Sequence, residues 1–422
     1  MTNNEPAGAG VPHIFPTASD RQTGLAGKIR LRAGTPDAVL AVVPHMLGFY
    51  PSRSLVVLGL GPRQRVVVTF RYDLPDPADF EIADDIADHA THVLGRERIT
   101  AALLVGYGPE ELVVPVVAST VRSLIGSGVD VHEVLRADSG RYWSMLCDDA
   151  GCCPPEGRSY DPGSHPAAGT LTDAGLTAHP DREALARTLQ RPAGSADRIR
   201  RATVAAQLRL SQLVDYGAAA GDPIPRLRAT RTGRREVQRA IRRYRDGGRI
   251  DSIEHLAWLA VLVADLRVRD DAWARMDPAH SADHCRLWTD IVRSAAIEFV
   301  PAPASLLAFT AWQSGNGALA VMAVERALAA DPGYSMAHLI DSAVQAALPP
   351  SAARMPMSPA AVAASYAPAP ITGTAQPQRR RASRRSRVSR ARRRARSAGS
   401  KSAGSKSAGS AGRSKSAMAR RA

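Results

Sequence analysis

Hydrophobic and polar positions follow several patterns along this chain, and each pattern predicts a different element. Ser54–Leu60 (SLVVLGL) is apolar without a break after its first residue, the mark of a strand buried on both faces. Gly61-Pro62-Arg63-Gln64 reads as a turn. Beyond it, RVVVTFRYD (65–73) sets Val66, Val68, Phe70 and Tyr72 against Val67, Thr69 and Arg71, the period-two pattern of a half-buried strand. Strand, short turn and strand predict an antiparallel hairpin. After Asp76-Pro77-Ala78-Asp79, the residues Phe80, Ala83, Ile86, Ala87, Ala90 and Leu94 fall on one helical stripe.

The next elements follow by the same reading. AALLVGYG (101–108) predicts a buried strand, Pro109 to Ile125 a helix closed by Gly126–Gly128, and Val129–Leu135 another strand. Arg141–Leu146 would be a last, short one. In front of the first strand, Thr35-Pro36-Asp37 offers an N-cap hydroxyl, a proline at N1 and an acid in the first turn. Pro44 and Pro51 are expected to limit that helix.

Past about Gly175 the period becomes helical, over 181–190, 196–215, 231–246, 251–266, 280–297, 303–313, 317–330 and 335–347. The expected fold is therefore α/β, a mixed sheet with an antiparallel hairpin and flanking helices over 28–175, followed by an all-α domain over 176–348. Near its end, Ala320, Ala327 and Pro332 stand where a tetratricopeptide repeat puts its small residues and closing proline. Leu307 fits too, while Ala304, Ala308 and Ala311 replace the usual Trp, Gly and Tyr. This predicts one degenerate helical hairpin, short of the three repeats a binding solenoid needs.

Composition changes the picture only at the ends. The chain is 45% hydrophobic and 23% charged, enough apolar content for a sizeable core. Residues 1–27 read as a disordered arm and 349–376 as a Pro/Ala-rich linker. The formal charge of +15 is concentrated in residues 377–422, which carry 14 Arg, 3 Lys and no acid. Removing that +17 leaves −2 for residues 1–376. No apolar leader or membrane-length apolar run is visible, and four cysteines do not make a disulfide scaffold. The expected setting is the cytoplasm, with no membrane and no cofactor.

Several stretches resemble one family. VPHMLGFYPSRSLVVLGL (43–60), RYDLP (71–75), LVGYGPE (104–110), RYWSMLCDDAGCCPPEG (141–157) and LLAFTAWQSGNGALAVMAVERALAADPGYSMAHL (306–339) carry the resemblance. Spread over about 28–348, they resemble an actinobacterial family, domain of unknown function 4192. The resemblance implies no reaction and no residue roles, and it does not reach the basic tail.

Candidate chemistry is sparse. Cys147, Cys152 and Cys153, with His165 downstream, are the metal-ligand candidates. Their C-x4-C-C spacing departs from the paired C-x2-C of zinc sites, so reduced, metal-free thiols in a tight loop are expected. Asp85, His89 and His92 share a helix face predicted to meet water, and His280 and His284 stand at i, i+4 beside Cys285. Gly106-Tyr107-Gly108 lies between strand and helix as a phosphate loop would, but Glu110 and Glu111 open the helix and the third glycine of the fingerprint is missing. His45 and Asp73, at the ends of predicted elements, are the candidate acid–base residues. No G-x-S-x-G, Walker A or H-E-x-x-H motif is present.

The tail carries the definite physical signal. Its dense part holds Arg379, Arg380, Arg381, Arg384, Arg385, Arg387, Arg390, Arg392, Arg393, Arg394 and Arg396. A polycation without aromatic residues meets nucleic-acid phosphates by counterion release and reads no base sequence. The reading is a non-enzymatic or regulatory protein brought to DNA or RNA by its tail, in the cytoplasm and associated with the nucleoid. A protein partner on the helical domain is a further expectation. The alternative is an enzyme or small-ligand binder with a pocket between the α/β and helical domains.

Overall fold

Why the apolar runs lie where they do is plain from the sheet they build. The computed structural model describes residues 34–77, 79–221, 226–354 and 357–366. The arm 1–27 and the basic tail 377–422 lie outside the described residues. Helix α1 (Pro36–Leu47) precedes strand β1 (Ser54–Gly61). Strand β2 (Arg65–Asp73) follows through one short 3-10 turn, then α2 (Phe80–Arg96), β3 (Ala101–Tyr107), α3 (Glu110–Gly126), β4 (Asp130–Asp138), β5 (Arg141–Ser144) and a two-residue β6 (Arg158–Ser159). The sheet order is β2-β1-β3-β4-β5-β6. β1 runs antiparallel to β2 and to β3, β3 and β4 are parallel across α3, and β4–β5 is a second hairpin. The sheet is therefore mixed, with its predicted first hairpin in register Ser54↔Asp73 to Gly61↔Arg65 and a bulge at Gly59/Leu60.

The two continuous apolar strands, β1 and β3, are central and covered on both faces. Leu55, Val57 and Leu104 pack with Ile86, Leu94, Val113 and Val116 of α2 and α3. On the other face, Val56, Leu58, Leu103 and Val105 join Leu40, Val43 and Leu47 of α1 in a core that runs on into the helical region. β2, at the edge, shows the half-buried pattern its alternation predicts.

The helical part comprises α4 (Pro166–Asp173), α5 (Arg182–Arg187), α6 (Ala196–Ala219), α7 (Arg226–Arg245), α8 (Ile253–Val263), α9 (Leu266–Trp273), α10 (Ser281–Arg293), α11 (Pro301–Gln313), α12 (Gly317–Ala330), α13 (Ser335–Gln345) and α14 (Pro359–Ser365). α8 and α11 are apolar almost all round, and Trp288 of α10 is completely buried between them and their neighbours. α11 packs on α12 as a helical hairpin, with Ala304, Ala308, Ala311, Ala320 and Ala327 buried. The described residues up to Tyr366 form one compact unit. Hydrogen bonds also join the segments around the sheet to the helical part. Tyr50 N–H donates to the His179 carbonyl at 2.9 Å, and Arg96 donates to the carbonyls of Ala346 and Ala347.

Some boundaries differ from the sequence reading, each for a local reason. α1 continues through Pro44 to Leu47 and stops at Gly48, whose φ is +81°. The apolar contacts of Val43 and Leu47 outweigh the one lost backbone hydrogen bond. Thr35 opens this helix without a side-chain cap. The helix expected over 251–266 ends at Val263, because Asp265 leaves the helical conformation and caps a separate α9 with its carboxylate on the Arg267 N–H. The stretch 350–366, expected as linker, includes α14, whose Val362 is buried. Tyr366 donates to Asp270 at 2.5 Å, fastening that segment to α9.

Candidate functional site

The thiol loop is built between β5 and β6. Trp143 of β5 donates its indole N–H to the Pro155 carbonyl at 2.9 Å, and Arg136 stacks over the same ring at 3.6 Å. Gly157, at φ +75°, lies against that indole so closely that a Cβ there would come within 2.5 Å of it. Within the loop, the Asp149 carbonyl accepts from both Cys152 N–H (3.0 Å) and Cys153 N–H (2.6 Å), while its carboxylate accepts from Gly151 N–H. Arg158 donates to the Cys152 carbonyl. These bonds turn the chain back on itself, so the three sulfurs of Cys147, Cys152 and Cys153 lie within 4.8 Å of one another. Among the described residues, this is where three potential metal ligands gather. Cys152 is exposed and the other two are half-buried. Burial and the hydrogen bonds of its two sulfur neighbours push the Cys153 thiol up to about 12.

His165 does not join them. Its Nδ1 accepts from Ala167 N–H at 3.2 Å, capping α4, and its Nε2 lies 3.6 Å from a carboxylate oxygen of Asp37. His45 is buried in the last turn of α1, with Nδ1 bonded to the Leu176 carbonyl at 2.7 Å. Asp73 is exposed at the end of β2 and pairs with Arg71. The other ring nitrogen of His45, Nε2, is buried with no hydrogen-bond partner among the described residues.

Two of the remaining histidines, His89 and His280, are engaged elsewhere. His89, expected to face water, bonds Tyr72 through Nδ1 and the Gln345 carbonyl through Nε2. His284 is buried with neither ring nitrogen partnered, and burial with nearby Arg245 pulls its pKa down to about 4. His280 instead pairs with Asp283 at 3.1 Å. Gly106 is required by packing, since a Cβ would overlap Val113 of α3. Glu110, which would repel a phosphate there, sits 3.6 Å from Arg136. A hollow between α2 and α3, lined by Pro75, Pro77, Ala83, Leu112, Pro115 and Val116, has no interior room for a water. Among the described residues, no helix is long and apolar enough to cross a membrane.

The family profile of domain of unknown function 4192 matches residues 36–351. The chain belongs to that family. No curated protein and no solved structure matches the chain. The matched region takes in the thiol loop and most of the helices, while the basic tail lies beyond it.

One feature of the DUF4192 region escaped the charge balance of the body. Helix α7 holds nine Arg and one Glu in 20 residues. Arg228, Arg231, Arg235, Arg239 and Arg242 are exposed and fall within an arc of about 80°, over about 21 Å of helix. Arg228 stacks on Tyr216 at 4.2 Å, and Arg239 pairs with Glu236 at 2.9 Å. The helix's other ion pairs use Arg234 and Arg245, leaving Arg231, Arg235 and Arg242 without a carboxylate partner among the described residues. The signal was present in the i, i+3, i+7, i+11, i+14 spacing of the arginines, but the near-neutral average of residues 1–376 concealed it.

Proposed function

We propose that this chain is a non-enzymatic or regulatory protein that associates with nucleic acid, without sequence preference, through its polycationic tail. The observation that carries the reading is the charge split, 17 cationic residues and no acid in residues 377–422 against −2 for the rest. Eleven of those charges stand in Arg379–Arg396, as guanidinium forks that match phosphate oxygens in pairs. Such a segment gains affinity from released counterions and positions nothing on base edges. The α7 arginine face supports the reading as a second, weaker phosphate surface once the tail has brought a duplex close. A cytoplasmic, nucleoid-associated setting goes with it.

The test compares the full chain with a chain stopped at Gln376 on two unrelated duplexes. The full chain should bind both alike, and the shortened chain should lose most of that affinity. Equal binding by the two proteins, or a strong preference for one duplex, would overturn the assignment.

A further inference from the structure

We propose that Cys147, Cys152 and Cys153 form a three-thiolate site for a thiophilic divalent cation of the zinc class, with its fourth position open to solvent. Zinc–sulfur bonds of about 2.3 Å place the sulfurs of a tetrahedral site about 3.8 Å apart. The sulfurs here already lie within 4.8 Å of one another, so about 1 Å of closure completes the arrangement. Adjacent cysteines ordinarily point apart, which is why the spacing argues against a site. In this loop the Asp149 carbonyl takes the N–H groups of both Cys152 and Cys153, and the two sulfurs gather with that of Cys147.

The loop is held from outside in the way a binding site requires. Arg158 fixes the Cys152 carbonyl, Arg141 donates to the carbonyls of Glu156 and Gly157, and Trp143 holds Pro155. The backbone is thus positioned before any ligand arrives, which reduces the ordering cost of binding. Exposed Cys152 provides the route of entry. The donor set selects the class, because thiolates favour soft or borderline cations over magnesium or calcium. An iron–sulfur cluster takes four protein ligands, one more than this loop supplies. Binding releases three protons, one from each thiol, and leaves a site of net charge −1 beside Arg158, which already holds the Cys152 carbonyl.

The experiment uses the full chain, stripped with a chelator, kept reduced and titrated with Co2+. A thiolate-to-cobalt charge-transfer band and tetrahedral visible bands should saturate at one Co2+ per chain and disappear when Zn2+ is added. Cys147→Ser and Cys152→Ser should each lower the affinity by at least about 100-fold, since loss of even an outer-shell partner costs 10–100-fold. Cys285→Ala should leave it unchanged. Because Cys152 is exposed, its serine variant keeps the fold, and circular dichroism checks this. Zn2+ should also protect all three loop cysteines from iodoacetamide. A folded chain that gives no thiolate–cobalt band, an equal loss in Cys285→Ala, or a disulfide within the trio under the same reducing conditions would each overturn the proposal.

Discussion

Replacing Asp271 with Asn should destabilise the folded unit by about 3 kcal/mol, and the structure shows how that figure arises. Asp271 is 2% exposed and accepts hydrogen bonds from Arg234 (2.6 Å), Gln238 (2.9 Å) and both Nε and Nη2 of Arg275 (2.8 and 3.2 Å), tying α7 to the end of α9. Removing one partner of a buried ion pair costs about 3–5 kcal/mol, largely through the charge left behind. Here the arginines retain 28% and 33% exposure and can turn toward water, which sets the cost near the lower end, about 3 kcal/mol. At about 2 °C per kcal/mol for a unit of this size, the thermal midpoint should fall by about 6 °C. Burial alone would push the Asp271 carboxyl up, but the bonds from Arg275, Gln238 and Arg234 outweigh it and hold the group below the usual carboxylate range. Its stabilising effect is therefore present above the unfolded value of about 3.9 and lost as pH falls below that toward the folded value. Thermal melts of wild type and Asp271→Asn should differ by a constant amount from pH 7 to about 5 and converge below about pH 4. A shift under about 2 °C at pH 7, or a gap that persists undiminished to pH 3, would refute the reasoning.

Three further outcomes are expected. His284 is buried with its pKa lowered to about 4, so protonation in the unfolded state should remove up to about 3 kcal/mol as pH falls from about 6.5 to 4; denaturant midpoints of His284→Leu should be flat over that window while wild type declines. Gly106→Ala should cost about 2 kcal/mol by overpacking against Val113, read as a lower urea midpoint with an unchanged slope. Changing Arg231, Arg235 and Arg242 together to Gln should leave the melting temperature within about 1 °C, while reducing the salt slope of duplex binding by the full chain by about 3, near one unit per lost phosphate contact.

The sheet was legible because its two central strands are covered on both faces and its edge strand on one, so each wrote a distinct hydrophobic pattern. Helix α9 was not legible for the opposite reason. α9 reads LRVRDDAW, and its place depends on Arg269 and Asp271, whose burial is bought by Tyr334 and by Arg234 and Gln238 of α7. α14 likewise reads as linker, because its one deeply buried side chain, Val362, docks on a surface formed far away in sequence. The thiol loop was half legible. The residue types were visible, but their convergence depends on Asp149 bonding two successive amides, and no spacing rule encodes that. His165 had the right chemistry and the wrong neighbour, since Asp37 lies beside it in space and 128 positions away in the chain.

The measurement that bears most directly on the account is a salt titration of duplex DNA binding by the full chain and by the chain stopped at Gln376. If roughly 6–10 tail charges meet phosphates together, log affinity should fall linearly with log salt at a slope of about −5 to −9, a loss of about 10³–10⁵-fold between 50 and 200 mM. Deleting Arg379–Arg396 should remove most of that slope, and deleting the Lys-bearing repeats after it should remove little. A full chain whose binding is insensitive to salt, or a slope that survives truncation at Gln376 undiminished, would contradict the claim that the tail is the anchor.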